Sequence, residues 1–225
     1  MVPTRWPLLS RLSMFCLALF CIAMVAATWS YGGGSWLHPG APSHLFWENF
    51  WCDLLREPAH NGNPNSWSVL LATLGFGGLA GALGFHWIQV SHLLPPRRAR
   101  FVRKAGVVSA IAIALIPFVP SDRFPQLHPP AVLTAGGLSF ACGCVCWAFA
   151  LRHFRRAPVY GVTSLALMCG AMVNLLLYVQ VVYFQGRITI LLPAAQKVAT
   201  LLLVAWMLAG LAAEGKQLRN LSLKG

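Results

Sequence analysis

Trp67 to Leu94 reads WSVLLATLGFGGLAGALGFHWIQVSHLL, and it contains no Asp, Glu, Lys or Arg. That is well beyond the ~20 apolar residues an α-helix needs to cross a bilayer. Gly75, Gly77, Gly78, Gly81 and Gly84 recur along it. In lipid such small residues let helices approach closely, so this segment is expected in the middle of a helix bundle. Pro95-Pro96 stops it, and the basic run RRARFVRK follows.

The same pattern recurs on both sides. Further apolar spans are expected at about 12–31, 105–119, 131–151, 159–184 and 188–213, separated by basic or turn-forming breaks. The chain is 57% hydrophobic and only 10% charged, with a mean hydropathy of +0.64. This composition excludes an ordinary soluble domain. The expected fold class is all-α: a polytopic membrane protein in which residues 1–225 form one membrane domain of six transmembrane helices. For the first span an alternative stays open, a cleaved signal peptide ending near the small residues Val25-Ala26-Ala27.

Charge placement sets the expected orientation. With both termini cytoplasmic, thirteen of the seventeen Lys and Arg lie inside: Arg5, Arg11, Arg97, Arg98, Arg100, Arg103, Lys104, Arg152, Arg155, Arg156, Lys216, Arg219 and Lys224. Arg56, Arg123, Arg187 and Lys197 remain. Such a bias is the positive-inside signature of a multi-pass protein in the plasma (inner) membrane. The net charge of +12 therefore points to anionic headgroups, and nucleic acid is not an expected partner. Of seven Cys, six fall in apolar runs and only Cys52 adjoins a polar loop, which favours packing over a metal or disulfide framework.

Four of the five acids fall in two short stretches on the outer side. They are Glu48, Asp53 and Glu57 in LFWENFWCDLLREPAHNGNPNSW (45–67), and Asp122 in PSDRFPQLH (120–128). Leu45 to Arg56 is expected to form a short helix with Ser43 as N-cap, its aromatics at the headgroup layer. On it Asn49 and Asp53, four apart, would share a face. Glu48, His60 and Asn65 extend this polar set. Asp122 and His128 flank a proline-containing turn, as an orienter and base pair, as metal ligands, or simply as helix caps. Lys197 lies inside the last span, where an unpaired ammonium costs about 2.5–3.5 kcal/mol at mid-bilayer. Either it snorkels outward or it finds Asp53 or Asp122. His38, His44, His86, His92 and His153 have no ligand spacing and read as packing residues.

Three segments resemble one family. Asn49, three residues, then Asp53-Leu54, with Asn65 before the second helix, is similar to a motif of the DUF998 membrane proteins, which look related to the Frag1/DRAM/Sfk1 group. Pro120-Ser121-Asp122 followed by Leu127-His128 resembles the family's turn into its fourth helix, and Gln196-Lys197 with Trp206 its closing span. Cys52 stands where the family usually has Ser, and Leu55 where it usually has Gly. The resemblance implies six helices in one domain and says little of activity.

The site expected from all this is an outer-face pocket of Glu48, Asn49, Asp53, His60, Asn65, Asp122, His128 and Lys197, with Asp53 and Asp122 sharing it and Lys197 as their cation. Its expected use is binding of membrane lipid headgroups or a membrane-protein partner, with no cofactor and no catalysis. Two alternatives stay open. One is a metal-dependent intramembrane lipid hydrolase or transferase using Asp53, Asp122 and His128. The other is a small transporter, against which the chain shows no inverted repeat.

Overall fold

Backbone amides have no partner in lipid, so apolar runs of this length satisfy their hydrogen bonds internally as helices. The computed structural model describes residues 6–222 apart from 93, 154–157 and 185, with side chains described for 8–148 and 159–210 less those positions. Arg5, Arg152, His153, Arg155, Arg156, Lys216, Arg219 and Lys224 fall outside the described side chains. The helices are α1 Trp6–Trp29, α2 Ser66–Ser91, α3 Pro96–Leu115, α4 His128–His153, α5 Pro158–Tyr183 and α6 Leu191–Ser222. All six are long and apolar enough to cross a membrane, and no strand occurs among the described residues.

Several expected boundaries move: α1 begins at Trp6 and α6 runs on to Ser222, and two further changes bear on the site. α3 begins at Pro96, not near 105, because proline suits the first helical position, where its missing N–H is no loss. The basic run thus extends the helix beyond its apolar part. Second, no helix covers 45–56; a turn at Phe46–Glu48 leads instead to a 3₁₀ turn at Trp51–Leu55. Asp53 Oδ2 accepts the Phe50 N–H (2.8 Å), a donor a helix would use for its own ladder, and Asn49 Oδ1 accepts the Leu45 N–H (2.8 Å) at the start of the segment.

Each helix packs on the next in sequence, and α2 is the centre. Of the most apolar window of α2, 44% is buried, whereas in α5 the figure is 0%, so α5 lies at the periphery. Glycines set the α1–α2 approach: a Cβ on Gly78 would lie 2.8 Å from the Cys16 carbonyl oxygen and 2.8 Å from the Phe20 nitrogen. Ser13 Oγ adds a hydrogen bond to the Ala82 carbonyl (2.9 Å). Outward faces expose Phe15, Ile22, Leu70, Ile111, Val162, Leu176 and Leu201. A belt of exposed apolar side chains of this extent suits lipid and not water.

The 30–65 connection folds over one end of the bundle as a cap. Gly33 (φ 115°) and Gly34 (φ 82°) take left-handed backbone that other residues resist, and this turns the chain back over α2. The turn from Ile116 to Leu127 and the 184–190 connection open at the same end.

Filling the α1–α2 contact tests this packing. Gly78→Leu is expected to cost about 1–3 kcal/mol or more, seen as a lower Tm of the purified protein. Gly77→Leu, which faces open space, serves as the control and leaves Tm unchanged. Equal Tm values for the two variants would refute the contact.

Candidate functional site

The cap is held by amides rather than by open pockets. Asn49 uses every polar atom of its side chain: besides Leu45 N–H, its Nδ2 donates to the Gly34 carbonyl (2.8 Å) and to Asp53 Oδ2 (3.1 Å). Asn65 Oδ1 accepts the Gly32 N–H (3.0 Å), and its Nδ2 donates to the carbonyls of Leu54 (3.3 Å) and Arg56 (2.8 Å). Its own N–H donates to Glu57 Oε1 (3.0 Å). At the rim Glu48 Oε2 receives Ser35 Oγ (2.8 Å) and His38 Nδ1 (2.8 Å).

The last helix reaches into this network. Lys197, one of the largest fully buried side chains, donates from Nζ to the Asn49 carbonyl and lies 4.1 Å from the centroid of the Trp51 ring. Trp51 itself is pinned to α6 by its N–H on Gln196 Oε1 (2.9 Å) and its indole Nε1 on Thr200 Oγ1 (3.0 Å). The expected lysine–carboxylate bridge does not form among the described residues. The ammonium is solvated by a carbonyl and two aromatic faces, with Asp53 in electrostatic range but not in contact. The charge neighbour of Asp53 is His60, whose Nε2 stands 3.2 Å from Oδ1, off the line of a good hydrogen bond.

His128 opens α4, and Asp122 lies in the turn that precedes it. His128 Nδ1 meets the Val119 carbonyl (2.9 Å) and is in electrostatic range of both Asp122 and Asp53. Among the described residues Asp122 Oδ1 has no hydrogen-bond partner. No group of three His, Cys, Asp or Glu side chains among the described residues is placed to hold a metal ion, so Asp53, Asp122 and His128 do not form the ligand set considered from sequence.

Burial is the main correction to the expected pocket. Asn49, Asp53, Asn65 and Lys197 are each at most 2% exposed. Their polar atoms are turned on one another, and no ligand reaches them without opening the cap. Cys52 is buried as well: burial first, and the Asp53 carboxylate second, push its thiol up to about 12, so it is not a nucleophile near neutral pH.

An open space lies beneath the cap. A cavity of about 260 Å³ runs between α2, α3, α4, α5 and α6. Gln196 and Thr200, which hold Trp51 above, also line its wall, and Trp87 and Trp206 line its other end. Asn174, a polar residue within the apolar run of α5, also lines the cavity and is marked in the sequence by its polarity. Tyr178 beside it is not, because a tyrosine in an apolar run gives no sign of facing a void.

These features define an all-helical protein whose six candidate spans carry a sealed polar cap over an internal cavity. No family model matches the chain, and comparisons with curated proteins and with solved structures return no significant match.

Two tests follow from the cap. Lys197→Met removes a charge-assisted bond of about 1.5–3 kcal/mol and should lower Tm and expose the 30–65 segment to protease; unchanged protease resistance would count against the clasp. The second concerns acid. Burial, then the Lys197 ammonium, pushes His44 down to about 4, and His38 and Ser35 hold the Glu48 carboxyl below its usual range. Both groups bind protons more readily when unfolded. The His44 contribution is therefore complete above the ordinary His pKa of about 6.5 and is lost as pH falls towards 4, whereas that of Glu48 is complete above the ordinary carboxyl range and is lost only at lower pH still. Hydrogen exchange in residues 30–65 should rise over that window, and His44→Phe should flatten the His44 part of the rise.

Proposed function

We propose that this is a multi-pass protein of the inner membrane, with both termini and the 97–104 segment in the cytoplasm, that holds membrane lipid without catalysing a reaction. One observation carries the reading: the wall of the internal cavity contains no Asp, Glu, Lys, Arg or His, while the ionisable groups of the cap are sealed away from it. A general acid or base must reach the atom it serves, and here the carboxylates of the cap face their own chain. The hydrolase alternative needs a converging ligand set, which Asp53, Asp122 and His128 do not supply.

Orientation is supported by the polarity of the two ends. Arg97, Arg98, Arg100, Arg103 and Lys104 are exposed at the start of α3, opposite the end that bears Glu48, Asp53, Glu57 and Asp122. Trp36, Phe46 and Trp47 are exposed on the cap, as suits side chains seated among headgroups or against a membrane-protein partner. Membership of the DUF998 family is proposed on the three similar segments alone.

Two measurements test the reading. A reporter active only in the cytoplasm should be active when inserted between 97 and 104. Lipid extracted from the purified protein should be stoichiometric with chain, with no ester or amide hydrolysis on prolonged incubation. Protein that retains no lipid, or that turns lipid over, would overturn the proposal.

A further inference from the structure

We infer that the cavity beneath the cap is a binding site for one neutral single-chain amphiphile, its hydroxyl-bearing head at Asn174 and its hydrocarbon chain running towards Tyr160. This rests on the lipid-holding reading and adds the class of lipid.

Shape comes first. Tyr178 and Gln196 both line the cavity, and each lies about 7 Å below the outer end of its helix. On α5 the lining continues from Asn174 to Tyr160, a further drop of about 20 Å. That exceeds one leaflet of a hydrocarbon core about 30 Å thick. Yet the volume, about 260 Å³, is below the usual range for small-molecule pockets. A space this long and this small is one chain wide.

Chemistry then selects the head. A phosphate or carboxylate placed here would find no cation in the wall, and an uncompensated charge in so apolar a setting is strongly disfavoured. The amide groups of Asn174 and Gln196 and the hydroxyl of Thr200 lie towards the outer end. Gln196 Oε1 and the Thr200 hydroxyl are already taken by Trp51, whereas Asn174 Oδ1 is buried without a donor among the described residues. An orphaned acceptor is satisfied by an O–H or N–H. Below it the wall is mostly apolar, through Leu79, Leu83, Leu167 and Leu203; Ser139 and Ser164 there are already hydrogen-bonded within the bundle, and the indole N–H groups of Trp87 and Trp147 have no acceptor among the described residues.

Access is from the side. Gly136 and Gly143 of α4 line the cavity, and a Cβ at either meets nothing within 4 Å. The neighbouring α5 has no buried part in its apolar window. The α4–α5 seam therefore stands open to lipid, and a side chain at Gly143 fills the slot without striking the backbone. Replacing a helix-interior glycine also favours the helix.

The test uses the full chain in detergent with three oleoyl probes: monoolein, oleoyl lysophosphatidylglycerol and oleate, read by native mass spectrometry and by Tm shift. Wild type should bind monoolein at least about tenfold more tightly than the two anions. Gly143→Leu should lose that binding, and Asn174→Leu should weaken it by up to about tenfold. The wild-type ranking needs no variant, so a misfolded substitution does not rescue the idea. Preferential binding of an anion that Gly143→Leu abolishes would leave lipid holding standing and overturn the neutral head. Monoolein binding untouched by both substitutions would remove the site. Retention of none of the probes and of no extracted lipid would bring down both readings.

Discussion

Lys197 is an ammonium without exposed surface in an apolar helix, and the outer end of the molecule is arranged around its solvation. A charge so placed must be given dipoles and π-faces in place of water. Asn49 supplies a carbonyl and Trp51 a ring. Each of those must in turn be held still. Asn49 is fixed by Gly34, Leu45 and Asp53, and Trp51 by Gln196 and Thr200. The compact cap over the bundle follows from this chain of dependence.

The same constraint separates the polar groups from the cavity. Had Lys197 lined the cavity wall, that space would suit anions. Because the cap draws the ammonium, Asp53 and His60 into one sealed layer, the space below is left with amide, hydroxyl and indole groups only. A charged layer above a neutral slot is the arrangement from which the lipid-holding reading grows.

Helices were the legible part of the chain. An apolar run without charge has few other folds open to it in lipid, and the glycine spacing of α2 announced its central place. Asn49, Asp53, Asn65 and Lys197 were also marked, since polar groups beside so much hydrocarbon need partners. What the sequence hid was the direction of each bond. The stretch from Leu45 to Arg56 has helical spacing, yet the Asp53 carboxylate takes the Phe50 N–H that a helix would use. The cavity left still less trace. Gly136 and Gly143 look like any small residues of a helix contact, and it takes the position of α5 to show that nothing fills the space before them.

Trp51 meets α6 across 145 positions of sequence, through Gln196. During synthesis the cap precursor is therefore delivered long before the helix that completes it. Until α6 arrives, the Asn49 carbonyl has no ammonium and the Trp51 indole has no hydroxyl, so the cap stays unfinished. The fold thus carries its own order of assembly, with the last helix acting as the latch, and a chain halted before it leaves the amides and aromatics of the cap without their partners.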